Sequence, residues 1–128
     1  MKTLLVVKAA VEVLAGVAFT LFPSALFALL LGAPLDAPGA FAFRMFGSAI
    51  FAIGLACWLV RDESESRTAR GLIKATLFYD VAFVTILLAA RLSAGLSGIA
   101  VWPVVMLHLG LAIFSLFCLR PGSVVRAG

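Results

Sequence analysis

One ionisable residue interrupts each of four apolar stretches: Glu12 in the first, Arg44 in the second, Asp80 in the third and His108 in the fourth. Carboxylate, guanidinium and imidazole groups pair charges, carry protons and hold ions. Insertion scales put the cost of an Arg or Asp at the centre of a membrane helix at about 2.5–3.5 kcal/mol, so such groups are retained with a partner or a task. One per stretch predicts a buried polar cluster, to which Tyr79, next to Asp80, also belongs.

Depth sorts these residues. With a helical rise of about 1.5 Å per residue, Glu12 lies ~13 Å, Asp80 ~14 Å and His108 ~16 Å from one side, and the Arg44 backbone ~24 Å. Asp80 has no charge in the adjoining helical turns, so its partner must come from another helix. Arg44 either turns inward to meet Asp80 or Glu12, or extends its stem outward to the headgroups. Glu12 follows Lys8 by four residues, and an ion pair along one helix would also account for both. His108 is the only histidine, with no second histidine or cysteine at ligand spacing. It reads as a hydrogen-bonded core residue, and neither a metal, a haem nor another cofactor is expected. Cys57 and Cys118 lack metal or redox spacing and read as reduced packing thiols, with a functional pair requiring contact between the second and fourth spans. No residue is assigned a catalytic role.

The elements that must position this cluster are membrane helices. Of 128 residues, 64% are hydrophobic and 12% charged, against about 25% charged in ordinary globular domains. That length accommodates one integral membrane domain and no soluble catalytic domain. Its fold class is all-α, a four-transmembrane-helix bundle with spans near residues 3–22, 40–60, 71–90 and 100–119. After Pro23, SALFALLL is too short to cross and predicts an interfacial helix or one folded back on the bundle. GAPLDAPG (residues 32–39) reads as a loop, and RDESESRTAR (residues 61–70) as a solvated connection. Lys8 and Glu12 break the uncharged core that a cleaved signal peptide requires, so the first helix is expected to be retained. Residues 120–128 are expected to form a short mobile tail.

Lys2, Lys8, Arg61, Arg67, Arg70, Lys74, Arg120 and Arg126 fall on one side and only Arg44 and Arg91 on the other. This distribution predicts a bacterial inner-membrane protein with both termini cytoplasmic. The formal charge of +4 therefore reads as a topology signal, and no nucleic-acid partner is expected. Trp58 and Trp102 suit interfacial positions. Small residues, including Ala9, Ala10, Ala15 and Gly16 in the first span and Gly47, Ser48, Ala52, Gly54 and Ala56 in the second, predict close helix contact.

The stretches PSALFALLLGAPL, RMFGSAIFAIGLACW and WPVVMLH resemble small bacterial four-helix membrane proteins grouped near the DoxX-like proteins. AAVEVLAGVAFTLF, residues 9–22, is similar to the first helix of small multidrug-resistance transporters, where a membrane glutamate exchanges protons for cationic drugs. That similarity covers one helix, and Arg44, Asp80 and His108 depart from it. The leading expectation is a non-enzymatic membrane protein whose polar cluster fixes the bundle and binds a small-molecule ligand or supports an accessory-subunit role. Its partners would be the lipid bilayer and a second copy or another membrane protein. The alternative is a proton-coupled small-molecule transporter acting as a homodimer, with Glu12, Asp80 or His108 cycling protonation.

Overall fold

A computed structural model describes residues 1–120; the tail that follows, with Arg126, lies outside the described residues. Five α-helices follow one another: α1 (Lys2–Leu21), α2 (Pro23–Leu31), α3 (Ala37–Leu59), α4 (Arg67–Ala94) and α5 (Val101–Leu119), with a 3₁₀ turn at Arg61–Glu63. All but α2 are long and apolar enough to cross a membrane. Phe41, Met45, Phe78, Ile86 and Leu116 are exposed on these helices, an apolar exterior that hydrocarbon solvates and water does not.

Two helix starts differ from the sequence expectation for a local reason. Helix α3 begins inside the expected loop because the Asp36 side chain accepts from Gly39 N–H at 2.8 Å and Pro38 occupies the first turn, where its missing donor is harmless. Helix α4 begins at Arg67 because Ser66 Oγ accepts from Ala69 N–H at 3.1 Å, which shortens the expected ten-residue connection. At 28 residues, α4 is ~42 Å long and outruns a hydrocarbon core of about 30 Å, carrying Arg67, Arg70 and Lys74 at its polar end. The connection is also tied down. Lys2 Nζ bonds Asp62 Oδ1 at 2.7 Å, which holds that carboxyl below its usual range, and Arg70 donates to the Leu119 carbonyl at 3.3 Å.

Helices α1 and α3 form one antiparallel pair and α4 and α5 the other. Contact in the first pair is backbone to backbone: a Cβ built on Gly16 would lie 2.5 Å from Phe51 N and 2.7 Å from Gly47 O, and one on Gly54 2.7 Å from Val13 N. Such contact is the small-residue packing of membrane helices, where dispersion replaces the hydrophobic drive. Helix α2 folds back against the bundle. Gly98 N–H and Ala100 N–H donate to the Leu30 and Leu29 carbonyls at 3.0 and 2.8 Å, satisfying acceptors that the end of α2 leaves open. Cys57, as a free thiol, packs with Leu4, Leu5, Ala9, Ala69 and Ile73 at the N-terminal end of the bundle, and the free Cys118 packs against the same cluster.

Gly16→Ala is expected to destabilise the protein by about 1–3 kcal/mol, because the neighbours that must move are backbone. Gly110→Ala, where an added Cβ meets nothing within 4 Å, should be neutral or gain up to about 1 kcal/mol from helix propensity. Unfolding curves in detergent compare the two, and equal stabilities would contradict the close approach.

Candidate functional site

The polar side chains gather midway along the bundle from three helices. Lys8 and Glu12 come from one face of α1, a helical turn apart; Thr76 and Asp80 repeat that spacing on α4; His108 arrives from α5. Lys8 and Asp80 are fully buried, Glu12 is 1% exposed and His108 5%. Lys8 Nζ forms a short hydrogen-bonded ion pair with Asp80 Oδ2. His108 Nδ1 lies 3.0 Å from Asp80 Oδ1. A carboxylate bonded to an ammonium only accepts, so the proton of this second contact belongs to His108 Nδ1. Both Asp80 oxygens are thereby engaged, one from α1 and one from α5. Thr76 Oγ1 donates to the Ile73 carbonyl at 3.2 Å and leaves no unpaired hydroxyl beside the pair.

Glu12 is the exception. Its Oε1 is the one buried side-chain oxygen or nitrogen among the described residues without a hydrogen-bond partner. Glu12 lines a chamber of about 150 Å³, together with His108, Ala15, Ile50, Tyr79 and Phe83, which Leu26, Leu29 and Leu30 of α2 help to enclose. Phe83 packs on the His108 ring at a centroid distance of 4.6 Å and Tyr79 meets it edge-on at 5.7 Å. Tyr79 thus joins the site through its ring. Phe19, Leu30, Tyr79 and Phe83 also line a second space of about 390 Å³, an apolar cleft between α3 and α4 with Phe43, Phe46 and Ile86 on its walls.

Searches for similarity return nothing: no protein family, curated protein or solved structure matches this chain.

Arg44 does not join the cluster. It is exposed on α3 and makes no ion pair among the described residues, so of the two directions open to it in the sequence the inward one, toward Asp80 or Glu12, is not taken. The reason is depth: a guanidinium far above the other three gains solvation by extending outward and would lose it by turning in. Lys8 takes that place. Its charge reads in sequence as a topology signal or as an i,i+4 partner for Glu12, yet it bonds across to α4. The available signal was its position one turn from Glu12 within an apolar run, which puts both side chains on one helix face.

Glu12, Asp80 and His108 each offer one ligand atom, all within 4.8 Å of one another. Proximity alone would suit a cation, but the Lys8 ammonium already supplies positive charge to Asp80, and a divalent ion would have to share that carboxylate with it. The arrangement instead provides an ion pair that joins α1 and α4, with His108 of α5 bonded to the same carboxylate, and beside it an unpartnered glutamate oxygen on a residue that lines a cavity.

Asp80→Asn strands the Lys8 ammonium in a dry interior and is expected to destabilise the protein by about 3–5 kcal/mol, whereas replacing both partners with apolar residues (Lys8→Met with Asp80→Leu) should recover most of that loss. Arg44→Ala should change stability by no more than about 0.5 kcal/mol. Denaturant titration of the detergent-solubilised variants distinguishes these outcomes; equal losses for Asp80→Asn and Arg44→Ala would contradict the assignment.

Proposed function

We propose that this is a multi-pass membrane protein without catalytic chemistry, whose Lys8–Asp80–His108 cluster locks the bundle and whose adjacent chamber receives a small-molecule ligand. The observation that carries the reading is the Glu12 carboxyl oxygen, buried and unpartnered, on a residue that lines a cavity. Leaving such a group unmade costs about 1–3 kcal/mol or more for a charged acceptor, a cost that an incoming donor removes. Its membrane placement rests on the four long apolar helices and their exposed apolar residues. With Lys8 in the cluster, the positive charges still favour one side: Lys2, Arg61, Arg67, Arg70, Lys74, Arg120 and Arg126 against Arg44 and Arg91. The proposed setting is a bacterial inner membrane with cytoplasmic termini.

Tryptophan and arginine pair at both ends of the bundle. Arg61 lies 3.7 Å from the Trp58 ring centroid at one end and Arg91 5.5 Å from Trp102 at the other, an arrangement suited to two headgroup layers. Helix α2 belongs near the second of these layers, since its last turn accepts from Gly98 and Ala100, just before Trp102. The same unpaired Glu12 favours one further reading, proton-coupled movement of the ligand by a pair of chains. Uptake driven by a pH gradient in proteoliposomes, abolished by Glu12→Gln, would move the assignment from binding to transport.

The purified wild-type protein should retain a small molecule that native mass spectrometry reports, and Ala15→Phe, which fills the chamber wall opposite α5, should lose it while keeping the same helicity. Identical ligand-free masses for both proteins would overturn the ligand reading.

A further inference from the structure

Glu12 and His108 face the same chamber with the same hydrogen-bonding polarity. Glu12 Oε1 has no hydrogen-bond partner, and in its ionised form the carboxylate only accepts. His108 commits its Nδ1–H to Asp80, so a neutral ring keeps Nε2 as an acceptor. Lys8, the charged donor packed against this group, is already bonded to Asp80, and no donor of the described structure reaches Glu12 Oε1. A head group that only accepts, such as an ether or ketone, would place lone pair against lone pair, and an anion would add charge of the wrong sign.

The rest of the ligand is defined by the wall. Phe19, Leu30, Tyr79 and Phe83 line both the 150 Å³ chamber and the 390 Å³ cleft, so the two spaces adjoin. Ile86, which lines the cleft, is exposed, so the cleft opens on the flank of the bundle. Such a site fits a molecule with a small polar head and an apolar body that resides in the bilayer.

We propose, building on the ligand reading above, that the chamber takes the hydrogen-bond-donating head, O–H or N–H, of a membrane-partitioned amphiphile whose apolar body lies in the aromatic cleft between α3 and α4. The head donates to Glu12 and His108. Donation, rather than charge alone, is the property selected.

The chain has one histidine and one tyrosine, which gives the site its own spectroscopic probes. With ¹⁵N-histidine protein in phosphatidylcholine nanodiscs, decanol, decylamine, methyl decyl ether and decanoate are titrated at matched membrane mole fractions while the His108 Nε2 resonance is followed. Decanol and decylamine should both shift it saturably, and methyl decyl ether and decanoate should not. A response to both donors identifies donation as sufficient, whereas a response to decylamine alone makes positive charge the selected property and overturns the proposal. Glu12→Leu should weaken the response at least about tenfold, the loss expected for one hydrogen bond to a charged acceptor. Ala82→Leu, in the cleft wall and outside the chamber, should weaken it without moving the ligand-free His108 resonance, and this second variant keeps the test decisive where Glu12→Leu fails to fold. An ether response equal to that of decanol, or no response to any probe, overturns the proposal. A wild-type protein that retains a native ligand yet shows no preference for donors overturns the head chemistry alone, whereas a protein that retains no molecule removes the ligand reading beneath it.

Discussion

The bundle depends on how Asp80 is satisfied. A buried carboxylate is costly where its oxygens go unmatched, and at Asp80 one oxygen is taken by the Lys8 ammonium from α1 and the other by His108 Nδ1–H from α5. Helices that are apolar on every side carry little information about which face should turn inward, since lipid and protein interior solvate them almost equally well. A buried ion pair does carry it: rotating α1 or α5 away would leave a charge unpaired, a far larger cost than exchanging one leucine contact for another. Lys8, Asp80 and His108 therefore set the rotation of three helices, and the Gly16, Gly47 and Gly54 contacts bring α3 up against α1.

Once those rotations are fixed, Glu12 has no choice of direction. It stands one turn from Lys8 on the same helix face, so the ion pair that buries Lys8 carries the glutamate inward as well. Its partner count falls short because Lys8 and His108 are directed to Asp80 and no donor of the described residues reaches Oε1. A protein selected only for stability would favour an apolar residue at such a position. Helix α2, held by the segment leading into α5, encloses the space that Glu12 faces and keeps it from collapsing onto α1.

Much of the architecture was readable because it follows from local chemistry. Four long apolar runs give four long helices, Pro23 ends α1 and starts α2, and a common depth placed Glu12, Asp80 and His108 within reach of one another. Asp36 and Ser66 cap helices inside segments whose Gly/Pro-rich and charged composition suggested loops, and there capping prevailed over composition. Which basic residue would answer Asp80 was not legible. Lys8 and Arg44 both interrupt apolar runs, and the decision depends on the relative rotation and height of α1, α3 and α4, which tertiary packing fixes and no window of sequence encodes. The chamber and cleft were likewise hidden, since they arise from residues of all five helices.

The position of Ile86 at the mouth of the cleft has a further consequence for how occupancy would scale. A flank opening draws on molecules already dissolved among acyl chains, so the concentration that governs filling is the one within the bilayer. Each added methylene contributes about 0.8 kcal/mol to partitioning from water, so potency expressed per volume of buffer should climb with tail length even when every contact inside the protein is unchanged. Two compounds equally abundant in the membrane would then differ only through their heads.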